Sequence, residues 1–102
     1  MQTEISIAAD GLATLRLQGR FDFNAHRSFR EVIDATVADP QVKEVHVDLG
    51  SVDYLDSSAL GMLLILRDKM GAVRKNLALT NCHGSVRQVL DIANFGKLFS
   101  IL

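Results

Sequence analysis

The chain has 102 residues, a hydrophobic content of 48% and a formal net charge of −1. That length fits one compact domain with one real core, spanning residues 1–102. The near-neutral balance argues against nucleic-acid binding, which calls for a clustered basic surplus, and no apolar run approaches the ~20 residues that span a bilayer.

In chain order, apolar residues alternate from Glu4 to Ala8 and again from Ala13 to Leu17. Asp10-Gly11 lies between the two runs and suits a tight turn with positive φ, so the opening reads as a β-hairpin. Gly19-Arg20-Phe21-Asp22-Phe23 reads as a loop, and Asn24 as the cap of a helix. The apolar positions of that helix, Ala25, Phe29, Val32, Ile33 and Val37, fall on one face, and Asp39-Pro40 ends it. Val42 to Leu49 alternates as a strand, and Gly50 to Leu55 reads as a connection. A helix from about Ser57 to Met70 is apolar on every side in its first half, the mark of a buried or docked helix. It ends in Arg67-Asp68-Lys69, with Gly71 placed to take a left-handed cap. Leu77 to Thr80 reads as a strand, Ser85 to Asn94 as a helix, and Lys97 to Leu102 as a last short strand. The order β-β-α-β-α-β-α-β predicts an α/β fold, a hairpin followed by strand–helix–strand units with a largely parallel sheet.

The start of the chain, Met1-Gln2-Thr3-Glu4, does not read as a signal peptide, and the lone Cys82 suits a reducing compartment and a role as a small buried hydrophobe. The expectation is a cytoplasmic domain. No cofactor or metal is expected. The glycines form neither a Walker sequence nor Gly-x-Gly-x-x-Gly, and His26, His46, Cys82 and His83 lack metal-ligand spacing.

The informative stretch is Asp56-Ser57-Ser58-Ala59-Leu60-Gly61. Its plainest reading is capping, with Asp56 or Ser57 accepting the free amides of the helix start. Two hydroxyls after a carboxylate, where a strand leaves a parallel sheet, also lie where ligand sites concentrate. A phosphate on the first turn of a helix is tolerated by the helix-end potential. A serine nucleophile is the rival chemistry, but Gly-x-Ser-x-Gly is absent and no histidine has a recognisable base role, so an enzyme is not expected. Charge is patterned too. Glu44, Asp48, Asp53 and Asp56 run without a lysine or arginine, while Arg67, Lys69, Arg74 and Lys75 cluster about Asp68. A solvated surface explains this; an acidic rim around Ser57, steering a basic partner, is the functional alternative.

At these residues the sequence resembles the STAS domain family, and within it the stand-alone bacterial anti-sigma factor antagonists. The match runs over nearly the whole chain and rests on three stretches in order. They are Gly19-Arg20-Phe21-Asp22, like the family's Gly-x-x-Asp loop; Asp56 to Gly61 after Val45 to Leu49; and Val86 to Ala93 followed by Phe95 to Phe99. The extended loop from Arg20 to His26 looks closest to proteobacterial members working in surface-attachment, motility or secretion switches. Ala59 departs from the glycine found in many members, a change that leaves the turn largely undisturbed.

The resemblance implies a mixed sheet with helices mainly on one face, and it implies partner switching. The unmodified antagonist binds a serine-kinase-type anti-sigma factor or a related regulator, phosphorylation at the serine after the aspartate blocks binding, and a metal-dependent serine phosphatase restores it. Carried over, Ser57 is the phosphoacceptor, Asp22 and Asp56 flank it, and the partner docks around Ser58, Gly61, Met62 and the Asp22 loop. The alternative is a STAS module that does not switch, a structural subunit of a lipid-transport or stressosome-type complex, in which Ser57 and Ser58 only cap the helix.

Overall fold

The computed structural model describes residues 1–102. Five strands lie in the order β1-β2-β3-β4-β5, with β1 (Gln2–Ile7) antiparallel to β2 (Leu12–Phe21). The remaining neighbours, β3 (Glu44–Leu55), β4 (Asn76–Thr80) and β5 (Ser100–Ile101), pair in parallel. The helices are α1 (His26–Ala38), α2 (Ser57–Ala72) and α3 (Gly84–Ile92). The fold class read from the sequence is the one observed.

Strand alternation determines which face the helices cover. Ala13, Leu15 and Leu17 of β2, Val45, Val47 and Leu49 of β3, and Leu79 of β4 are all almost fully buried. Their neighbours Thr14, Arg16, His46, Asp48 and Thr80 point the other way, half-buried or exposed, so one side of the sheet carries the core and the other stays open and polar. Phe29 and Ile33 of α1 and Ala59, Met62, Leu63, Leu66 and Met70 of α2 complete the core. The Phe21 and Phe29 rings meet at 4.9 Å, locking α1 to the end of β2.

At the hairpin Gly11 takes φ 92°, as its place in the turn requires. Asp39, extended at ψ 115°, ends α1 ahead of Pro40. The freed carbonyls of that helix end find a cation, because Lys75 Nζ donates to Val37 O and Asp39 O, each at 2.7 Å.

Four expectations are corrected. The Gly19–Phe23 stretch is mostly strand, because β2 continues to Phe21. The Gly50–Leu55 stretch is strand as well. Two β-bulges let β3 carry two more residues than the β2 segment it faces, Arg16 pairing with Asp48 but Phe21 with Leu55. Buried positions there fall at Leu49, Val52 and Leu55, a spacing of three that hides the usual alternation. Gly71 stays inside α2, and Arg74 takes the left-handed conformation at φ 58° while Lys75 N–H reaches back to Met70 O at 2.9 Å. Finally, the last strand is only Ser100–Ile101. Phe95 and Phe99 both turn into the core and stack at 5.1 Å, which needs a 3₁₀ turn at Phe95–Lys97. Cys82 is half-buried against the core, and burial pushes its thiol up.

Candidate functional site

The carboxyl ends of β2 and β3 finish side by side. Phe21 pairs with Leu55, and the Asp56 N–H donates to Phe21 O at 3.3 Å. The next residue in each chain is therefore an aspartate, and the two aspartates do the same local job. Asp22, extended at φ −131°, accepts the Asn24 N–H at 3.0 Å and caps a 3₁₀ turn, Phe23–Ala25, that leads into α1. Asp56, extended at φ −111°, accepts the Ala59 N–H at 3.0 Å and caps α2. Asn24, the cap expected from the sequence, instead supplies the amide that Asp22 caps. α1 itself starts behind this turn, and its N-cap residue Ala25 makes no side-chain cap bond.

This arrangement settles which group caps α2. The carboxylate of Asp56 takes the free amide, so the hydroxyl of Ser57 at the first helical position is left out of the cap. Ser57 is exposed, Ser58 is half-buried and Gly61 is half-buried with open space where a side chain would begin. Thus Asp22, Asp56, Ser57 and Ser58 lie at one corner, where β2 and β3 end side by side. Met62 differs. At 4% exposure it belongs to the core, and it offers a partner only the floor of a groove. That groove, about 190 Å³, lies between α1 and α2 and is lined by His26, Phe29, Arg30, Ile33, Met62, Ile65 and Lys69. Ile65, one turn further on, is the apolar residue of this helix face that solvent reaches.

Three residues at this corner were not singled out from the sequence. Phe23 is 69% exposed and stacks on His26 at 6.4 Å, and Tyr54 is exposed beside the end of β3. Arg20 lies over the Tyr54 ring at 4.1 Å and pairs with Asp22 Oδ2 at 3.5 Å. The available signal was Tyr54 and Phe23 themselves, aromatic residues that fit neither neighbouring apolar pattern.

The acidic run does not form one rim around Ser57. Glu44 pairs with His46, and Asp48 binds the Gly50 N–H, Asn81 Nδ2 and Arg16 on the open face of the sheet. Partial burial pushes the Asp48 carboxyl up, but those three donors outweigh it and hold the group below its usual value. The basic run is structural in the same way. Lys69 hydrogen-bonds Asp34 of α1 and holds that carboxyl low, and Arg67 Nε donates to Leu98 O at 2.9 Å. The histidines are occupied elsewhere: His46 with Glu44, His83 with Gly50 O at 2.9 Å and His26 against Phe23.

The molecule is thus a small α/β module, a mixed five-stranded sheet with three helices on one face and an aspartate–serine turn at the carboxyl ends of β2 and β3. Residues 6–102 match the STAS domain model, and the chain belongs to the STAS domain family. It is 47% identical over 95 residues to a STAS-domain containing protein of Pseudomonas aeruginosa, covering 92% of each chain. It is 29% identical to BtrV of Bordetella bronchiseptica, named as an anti-sigma factor antagonist, over 90% of this chain and 78% of that one. Among solved structures, an anti-sigma factor antagonist from Mycobacterium paratuberculosis superposes with a TM-score of 0.87 at 22% identity, covering 98% of this chain and 83% of that one. The anti-sigma factor antagonist SpoIIAA in its unphosphorylated form gives 0.76 at 19% identity, covering 99% and 87%. No helix is long and apolar enough to cross a membrane.

Proposed function

We propose that this protein is an anti-sigma factor antagonist that works by partner switching, with Ser57 as the phosphoacceptor. The observation carrying this reading is the division of labour at the start of α2: Asp56 caps the helix and Ser57, beside it, presents an exposed hydroxyl. The turn is held rigid without the serine, so a modification can change the surface while the fold persists. The names of the relatives support the general role, and SpoIIAA, which shares the fold, has been solved in a phosphorylated as well as an unphosphorylated form.

The unmodified protein binds a serine-kinase-type anti-sigma factor in the cytoplasm through the Asp22 turn, Ser58, Gly61 and the groove floored by Met62. In the switching step Ser57 Oγ bonds to the γ-phosphorus of ATP held by that kinase. Its proton passes to a base on the partner, and ADP leaves. A metal-dependent phosphatase returns the hydroxyl by hydrolysis, releasing inorganic phosphate. The phosphate adds about −1.5 to −2 charge next to Asp22 and Asp56 and occupies space that the partner needs. Losing one desolvated contact at an interface can cost ~2 kcal/mol or more, enough for an off switch.

Co-purification from the native cells with tagged variants tests this. Ser57→Ala should retain the partner and Ser57→Asp should lose it. Equal capture by Ser57→Asp and wild type would refute the switch.

A further inference from the structure

Arg20 precedes the Asp22 cap by two residues, and it makes no bond in the capping of either turn. It leaves β2 in register with Tyr54. Its guanidinium sits 4.1 Å from the centre of the Tyr54 ring, and its Nε lies 3.5 Å from Asp22 Oδ2. Both contacts are made at the surface, where the Arg20 side chain is 63% exposed, so neither holds it firmly. Asp22 itself is pinned beside the Ser57 turn, through the bond from Asp56 N–H to Phe21 O. Tyr54 and Ser57 are three residues apart, which places their Cα atoms no more than ~11 Å from each other.

We infer that Arg20 is the intramolecular receptor for a phosphate on Ser57: its guanidinium leaves the Tyr54 ring and Asp22 and forks onto the phosphate oxygens. This deepens the switch reading and rests on Ser57 as acceptor. The physical reason is a difference in partners. A phosphate offers two or three strong acceptors in the geometry of the guanidinium fork, whereas the present contacts are one carboxylate oxygen and a ring face. The move changes more than the phosphorylated residue. It uncovers the Tyr54 ring and strips Asp22 of its counter-ion, so the surface seen by a partner differs at three positions from one modification.

The test uses the whole chain with phosphoserine inserted at position 57 during translation, which needs no kinase. The chain has one tyrosine, so tyrosine ring signals, once separated from those of the five phenylalanines, belong to Tyr54 alone. In a phosphorus NMR titration the second ionisation of phosphoserine, ordinarily near pH ~6, should lie ~0.5 unit or more lower than in Arg20→Gln, about a threefold difference in proton affinity. Asp22, Asp53 and Asp56 raise that ionisation equally in both proteins, so the difference isolates Arg20. Phosphorylation should shift the Tyr54 ring protons in wild type and leave them unmoved in Arg20→Gln. Arg20→Lys should keep part of the titration shift, since it retains the charge and loses the fork. Equal titration in wild type and Arg20→Gln, with backbone spectra showing both folded, would overturn the inference, as would Tyr54 signals indifferent to phosphorylation. Protein purified from its own cells without phosphate on Ser57 would instead overturn the acceptor assignment, so the two failures are separable.

Discussion

At its first turn α2 is capped by a single carboxylate, that of Asp56, and the Ser57 that follows it is exposed while Ala59 turns into the core. Its last turns are held by many contacts. Lys69 binds Asp34, Arg67 reaches Leu98 O, and Lys75 N–H folds back onto Met70 O. Each end has a free backbone group satisfied, the Ala59 N–H by the Asp56 carboxylate and Met70 O by the Lys75 N–H. The end built only for structure is saturated with partners. The other end uses one side chain for rigidity and so leaves the hydroxyl of Ser57 free for chemistry.

The sharpest way to break that comparison is to remove the cap. Asp56→Ala should lower stability by ~1–2 kcal/mol in urea denaturation, while Asp56→Asn restores most of the loss because asparagine also caps well. Ser57→Ala, by contrast, should change stability by less than ~0.5 kcal/mol. A Ser57→Ala loss as large as that of Asp56→Ala would mean the serine is a cap after all.

The strand that delivers the first turn has its own brace. Asp48, with its side chain 15% exposed, ties Gly50, Asn81 and Arg16 together where β3 parts from β4. Asp48→Asn should lose ~1 kcal/mol at neutral pH. The carboxyl titrates below its usual 3.8 in the folded protein. Its contribution is therefore complete above the unfolded value and fades as pH falls through the lower, folded one. Urea midpoints of wild type and variant should converge as the pH falls below the usual 3.8 of the carboxyl. A gap that persists there would assign the effect to packing.

At the far end of α2 the expected effects are smaller. Arg74 occupies a left-handed conformation at φ 58° that glycine adopts without strain. Arg74→Gly should raise stability by ~0.5–1 kcal/mol, read as a higher urea midpoint. Lys69→Ala should leave that midpoint within experimental error, because its ion pair with Asp34 lies at the surface. A clear drop would show the pair to matter more than its exposure implies.

Much of this frame was legible in the residues. Strict alternation marked the hairpin and the first half of β3, and the apolar face of α1 and the all-round apolar α2 were plain from spacing. What stayed hidden was hidden for stated reasons. The two bulges change the inward spacing in β3 from two to three, so Leu49, Val52 and Leu55 do not look like a strand. Phe99, read from the sequence as part of a strand, instead sits one helical turn after Phe95. Met62 was placed on a surface by its sequence position, and the packing of α1 against α2 buries it.

The sequence by itself determined that an aspartate followed by two serines opens a buried helix, because capping chemistry is local and needs only neighbouring residues. It could not decide which group does the capping. Only the tertiary structure assigns the cap to Asp56 and sets Asp22, Arg20 and Tyr54 around Ser57. Arg20 and Tyr54 lie in two strands, and Asp22 and Ser57 follow closely on their ends; the register of those strands depends on bulges and on a bond between distant backbones, and such pairings are properties of the folded sheet.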